Sequence, residues 1–285
     1  LNGDAGDDLL PPGAGADFIF GGDGTDGVIY TTSSQQIVAD LAAGYASGTD
    51  IGYDRLFAVE GVTGGGGNDI LVGTAGVNAI LGGGGADYIE GRDGNDALTG
   101  DNGDDTVLGG IGNDIVLGGA GTDFLYGGTG IDTVGFNDLV AAVVFNAATG
   151  FAGSGGVFDF VVEFETLTMT RFNDTVIGWT GPVFDLGGGD DYFSDGAAVA
   201  NGGGAINNTI LAGIGNDIVY AGEGSDSVDG GAGNDFLVGG DGADTLIGGD
   251  GIDYLHGGAG NDTFRFISTA QSLSLIHISE PTRQG

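Results

Sequence analysis

The chain has 285 residues, 41 of them acidic and five basic, with no lysine and a formal net charge of -36. That charge has the sign of nucleic acid and of anionic lipid, so neither is expected as a partner. Cysteine is absent, which removes disulfides and thiol chemistry, and no apolar run approaches the length needed to span a membrane.

The chain opens inside a repeated unit, residues 1–29, with GDAGDDLLP, PGAGADFIF and GGDGTDGVI. Its native N-terminus is therefore expected upstream. This block places Asp8, Asp17 and Asp26 at one point of the unit, with Leu10, Ile19 and Val28 two residues later. Residues 30–63 break the period. Short β-rich runs at residues 37–41 and 56–59 flank polar turns, so the stretch reads as a spacer whose strands continue the stack.

Residues 64–135 are a nine-residue unit repeated without a gap. The fourth place is always Gly, from Gly67 to Gly130. The sixth is Asp69, Asn78, Asp87, Asp96, Asp105, Asp114, Asp123 and Asp132; the eighth is always aliphatic, from Leu71 to Val134. Consecutive glycines predict a tight turn over the first five places. Only the last three places are left to extend as a strand, with the eighth side chain inward. One buried aliphatic side chain returns less than the ordering of nine residues costs, so a lone repeat cannot stand and the repeats must stack. Stacking then lines the Asp residues up about 4.8 Å apart, where bare carboxylates repel. A hard divalent cation taking carboxylate and carbonyl oxygens relieves that, and calcium accepts an irregular oxygen shell better than magnesium does.

A second spacer, residues 136–168, echoes the first: Phe145, Asn146, Gly150 and Ala152 repeat Ala39, Asp40, Gly44 and Ala46, which points to an internal duplication. Neither spacer carries the glycine turns, so little metal is expected there. Residues 169–211 are degenerate repeats, with Asp174, Asp191 and Asn208 in plausible sixth places. Regular repeats return at 212–272, giving Asp217, Asp226, Asp235, Asp244, Asp253 and Asp262 over Val219, Val228, Leu237, Leu246, Leu255 and Phe264. Phe264 and Phe266 are expected to cap the stack. The last stretch, residues 273–285, contains LSLIHISEPTR, which resembles an in-frame read-through of a sequencing adapter; it is excluded from the expected fold, and the native C-terminus is expected to be lost.

The unit matches GGxGxDxUx and resembles the calcium-binding repeat of RTX (repeats-in-toxin, haemolysin-type) proteins. The resemblance implies an all-β, right-handed parallel β-roll in which two repeats make one 18-residue coil. It also implies calcium ions between turns on the same side. One column is then Asp69, Asp87, Asp105 and Asp123, and the opposite one Asn78, Asp96, Asp114 and Asp132. The later block supplies columns Asp217, Asp235, Asp253 and Asp226, Asp244, Asp262, and the first block contributes Asp8 and Asp26. Asp17, Asn78, Asp174, Asp191 and Asn208 are expected to contribute more weakly. The gaps sum to ~11 ions, enough to offset more than half of the net charge. The resemblance further implies export through type I secretion machinery and a location outside the cell or at its surface.

No catalytic constellation competes with this reading. HExxH and GxSxG are absent, the TTSSQQ run has no nearby His, and His256 falls in an outward ninth place. Glu163 and Glu165 are read as alternate residues on one strand face rather than a carboxylate pair. Ile70, Val72, Tyr88, Leu108, Phe124 and Tyr126 form an apolar outward streak that could pack on another segment or a partner. Two functions stay open: a calcium-dependent folding and secretion module of a larger extracellular protein, or a self-sufficient structural or adhesive solenoid.

Overall fold

The computed structural model describes residues 1–179, 181, 183–195, 206–265 and 275–277. They form two compact units: Leu1–Gly135 with Val157–Phe164, and Phe136–Gly156 with Glu165–Gly285. Each is an all-β solenoid of stacked parallel coils, and there is no helix among the described residues.

In the first unit the strand Ala79–Gly84 pairs in parallel with Ala97–Asn102, which pairs with Ile115–Ala120, and each register step is 18 residues, as in Ile80↔Leu98↔Val116. On the other side of the coil Tyr88–Asp93, Thr106–Ile111 and Phe124–Thr129 pair with the same step. Two nonapeptides therefore make one coil. The eighth-place side chains stack between the two sheets, and Leu71, Ile80, Ile89, Leu98, Val107, Val116, Leu125 and Val134 are all fully buried. One aliphatic per repeat is thus enough core, because each lies on the one below it.

The strands are longer than the expected three residues. From Ala79 to Thr129 they run for six, through the first three places of the next unit, so that Arg92 pairs with Gly110 and Asp93 with Ile111, whereas in the later block six-residue strands alternate with three-residue ones such as Ser227–Asp229 and Thr245–Ile247. The reason lies at the second place, where Gly83, Gly110, Gly119 and Gly128 have φ of 95–120°. The positive φ there, which Arg92 and Asp101 also hold, bends the strand while the second and third places keep their partners in the next coil.

The spacers do add strands, though not all in parallel. Ile37–Asp40, Tyr45–Gly48 and Gly52–Phe57 form an antiparallel meander; its first strand pairs in parallel with Ile70–Val72 and its last with Phe18–Asp23. In the second spacer Val144–Asn146 and Phe151–Ser154 are likewise antiparallel, and Val144–Asn146 pairs in parallel with Thr175–Ile177. Val157–Val162 joins the first unit beside Phe124–Thr129, where Phe124 stacks on Phe160 at 5.5 Å. That stacking covers part of the apolar streak. Tyr88 and Phe124 remain exposed, Ile70, Leu108 and Tyr126 are half-buried, and Val72 is buried.

The second unit continues with coils of unequal length. Thr175 pairs with Tyr192 17 residues on, and Tyr192 with Ile218 26 on, before the step returns to 18 at Ile218↔Phe236. Larger side chains fill the irregular coils: Phe184 stacks on Phe193 at 4.1 Å, and Phe145 lies edge-on to Trp179 at 5.5 Å. Phe264 is half-buried at the last described coil, whereas Phe266 lies outside the described residues. Within the stretch read as adapter-derived, the backbone of Leu275–His277 pairs in parallel with Tyr254–His256. Any extended apolar run meeting an open strand edge gains those hydrogen bonds.

Candidate metal centre

Each regular turn places its sixth residue at the start of a strand, with the carboxylate folded under the glycines. Oδ1 is held by backbone: the N–H of Asp87 donates to Asp105 Oδ1, Asp105 to Asp123, Asp96 to Asp114, and Asp114 to Asp132, each at 2.8 Å. The same bond joins Asp8 to Asp26 (2.8 Å), Asp191 to Asp217 (2.8 Å), Asp217 to Asp235 (3.0 Å) and Asp226 to Asp244 (2.9 Å). It lengthens to 3.2 Å from Asp235 to Asp253 and from Asp244 to Asp262. The expected columns therefore exist, rung on rung.

Oδ2 is different. In Asp8, Asp26, Asp87, Asp96, Asp105, Asp114, Asp123, Asp191, Asp217, Asp226, Asp235 and Asp244 it is buried and has no hydrogen-bond donor among the described residues. A second acceptor faces it. A methyl group on Gly91 would lie against Asp96 Oδ2 and 2.7 Å from the Gly109 carbonyl oxygen; on Gly239, against Asp244 Oδ2 and 2.6 Å from the Gly257 oxygen. The first-place glycine is thus required by two oxygens that converge on its missing Cβ. Buried oxygens gathered without a donor are unfavourable unless a cation joins them, so the donor set fits a hard ion.

The titration behaviour agrees. Burial pushes the carboxyls of Asp87, Asp123 and Asp235 up to about 7 and that of Asp191 to about 8, with neighbouring carboxylates adding to the rise and the backbone N–H on Oδ1 opposing it. Asp96, Asp217 and Asp226 are raised to about 6 for the same leading reason.

Three of the expected sixth places are built otherwise. Asp69 Oδ2 accepts the N–H of Gly65 in its own turn (2.8 Å), and Asp174 Oδ2 accepts that of Thr170 (2.9 Å). Asn78 Oδ1 accepts the N–H of Thr74 (2.7 Å), while its amide donates to Glu60 O (2.8 Å). These turns close on themselves. Asn208 also uses its amide, donating to Gly181 O at 3.0 Å, and Asp17 is half-buried with its N–H on Asp54 Oδ1 (2.9 Å).

Sequence reasoning missed two groups. Asp54 and Asp159, in the spacers, continue the columns by accepting the N–H of Asp17 and of Asp123 (3.0 Å). Both keep an Asp-x-aliphatic triplet without the glycine turn, and that triplet was the available signal. The fifth place forms a second ladder, in which Asn95 Oδ1 accepts the N–H of Asn113, Asn113 that of Ile131, and Asn216 that of Asn234, each at 2.9 Å. Glu163 and Glu165 do not share a strand face. Both lie in the bend between Val157–Val162 and Thr166–Thr168, with Glu163 at a φ of 56° because glycine-like curvature is needed there. His256 sits outward on its strand, half-buried.

A family description, the RTX calcium-binding nonapeptide repeat, matches residues 1–28, 63–98, 99–134, 202–237 and 238–266, more than half of the chain. The chain belongs to this family. RTX nonapeptides bind calcium, and here the repeats are multiple. No curated protein matches the chain. No helix among the described residues is long and apolar enough to cross a membrane.

Proposed function

We propose that this RTX chain is a calcium-dependent folding module of a larger bacterial protein, exported by a type I system and folded outside the cell or at its surface. One observation carries the reading: columns of buried Asp Oδ2 atoms face turn carbonyls with no donor between them. Sites of the extracellular kind bind calcium at about 0.1 to 1 mM, above the level in cytoplasm, so the columns would stay uncharged by metal before export and fill after it. The ligands are Asp8, Asp26, Asp87, Asp96, Asp105, Asp114, Asp123, Asp132, Asp191, Asp217, Asp226, Asp235 and Asp244 with the adjoining turn carbonyls, and Asp253 and Asp262 extend the same columns. Asp69, Asn78 and Asp174 close their own turns instead.

Ion counting by native mass spectrometry in millimolar calcium tests the assignment. Asp105→Asn keeps the acceptor for Asp87 N–H but removes the charge, and binds fewer ions than the wild type. Asp69→Asn binds the wild-type number. Equal losses in the two variants, or none in either, would overturn the ligand set.

A further inference from the structure

Around the first spacer, places that the repeat geometry leaves to a cation are filled by groups of the chain itself. Asp54 stands in an Asp column and is fully buried, yet its Oδ2 accepts the hydroxyl of Tyr30 at 2.9 Å. Asp69 has both oxygens taken, Oδ1 by Ile37 N–H (2.7 Å) and Oδ2 by Gly65 N–H. Asn78 carries no charge, and its side chain is engaged on both sides by Thr74 and Glu60. The fourth case is a cation already present. The Arg92 guanidinium spans the Asp40 carboxylate (3.2 Å) and the carbonyl oxygen of Gly73, which opens the Asn78 turn (3.2 Å).

Arg92 occupies a second place where Gly83 stands in the preceding turn and Gly110 in the next coil, and, like Asp101 (φ 73°) in the following turn, it holds a φ (80°) that a side chain resists. Conversely Gly65, Gly67, Thr74 and Gly76 lack the positive φ seen at the matching places of the following coils, so both turns of this coil have the closed form. The spacer also carries more core than a repeat does. Ile37, Leu41, Ile51, Leu56, Val59 and Val62 are all buried within a stretch shorter than four nonapeptides.

We propose that residues 30–92 form a calcium-independent folding nucleus. Tyr30, Arg92 and the closed turns at Asp69 and Asn78 hold this junction together when the flanking columns have no cation. Neighbouring repeats then add to its formed coil edges as calcium rises. The proposal rests on the calcium reading of those columns.

Hydrogen–deuterium exchange of the full chain, in excess chelator and in millimolar calcium, tests it. In chelator, amides of residues 37–80 exchange about 100-fold more slowly than those of 97–135 and 209–265, and in calcium all three are protected. The double variant Tyr30→Phe, Arg92→Gly loses the protection of 37–80 in chelator and keeps that of 97–135 in calcium. If 37–80 exchanges as fast as the repeats in chelator while calcium still protects everything, the nucleus is refuted and the calcium reading stands. Retention of chelator-state protection by the double variant refutes the roles of Tyr30 and Arg92. Full protection of 97–135 and 209–265 in chelator would remove the calcium reading and the nucleus with it.

Discussion

Kept in chelator, the chain contracts as the pH is lowered from about 9 to about 5. The folded columns hold Asp87, Asp123 and Asp235 at about 7 and Asp191 at about 8, chiefly because burial penalises the charged form. In the unfolded chain the same carboxyls titrate near the ordinary value of about 4. Between those limits the folded form binds more protons than the unfolded form, so metal-free stability falls as pH rises through this window and returns as pH drops. A proton on Oδ2 also supplies the missing donor toward the facing carbonyl. Small-angle scattering in chelator should show the radius of gyration falling from a value below but approaching ~60 Å, the size of a wholly unfolded chain of this length, to less than half of ~60 Å. In calcium the dependence reverses, because protons compete with the ion for the same oxygens, and the calcium midpoint moves upward on acidification. A radius that does not respond to pH in chelator would show that the columns carry no such penalty.

Gly112→Val should be the most damaging single substitution in the central block. Gly112 has a φ of 140°, and a side chain there would run into the carbonyl of Gly94 and come within 3.0 Å of Asn95 Oδ1. Its N–H donates to Thr129 O at 2.9 Å, so the turn cannot swing away without breaking the ladder. Backbone strain alone costs about 1 to 3 kcal/mol. The overlap with the coil below adds to it, because a solenoid cannot open one rung without parting its neighbours. The calcium needed for half-maximal folding should rise more than about tenfold, read by circular dichroism. Ile111→Ala, one residue earlier and 60% exposed, is the control and should shift stability by less than about 0.5 kcal/mol. Similar effects from the two variants would mean that the turns tolerate separation.

The period made much of this legible. Fourth-place glycine, sixth-place Asp and eighth-place aliphatic each repeat every nine residues, and the 18-residue register, the buried Leu98 and Val107 rungs and the Asp105 and Asp114 columns follow from stacking such units. Asn78 and Asp174 stand in units that depart from the repeat and are expected to contribute weakly. The closed turn at Asp69 is not legible, because GGGGND at residues 64–69 spells the same turn as its neighbours. What lies beside it decides: Ser33 O from the spacer accepts the N–H of Gly66, and the Asp69 side chain turns back to Gly65. The role of Asp54 is not legible, because its column place is reached from a meander rather than a glycine turn, and its partner Tyr30 lies 24 residues away. Consecutive glycines predict a strand of only three residues, whereas at φ of 120° Gly110 keeps its place in the ladder and the strand runs on to six.

Far-ultraviolet circular dichroism of the full chain near neutral pH, titrated with calcium from excess chelator and with magnesium in parallel, bears most directly on the central claim. Calcium should convert a largely unordered spectrum to a β spectrum at about 0.1 to 1 mM, and magnesium at the same concentration should not. An unchanged β spectrum in chelator, or an equal response to magnesium, would contradict it.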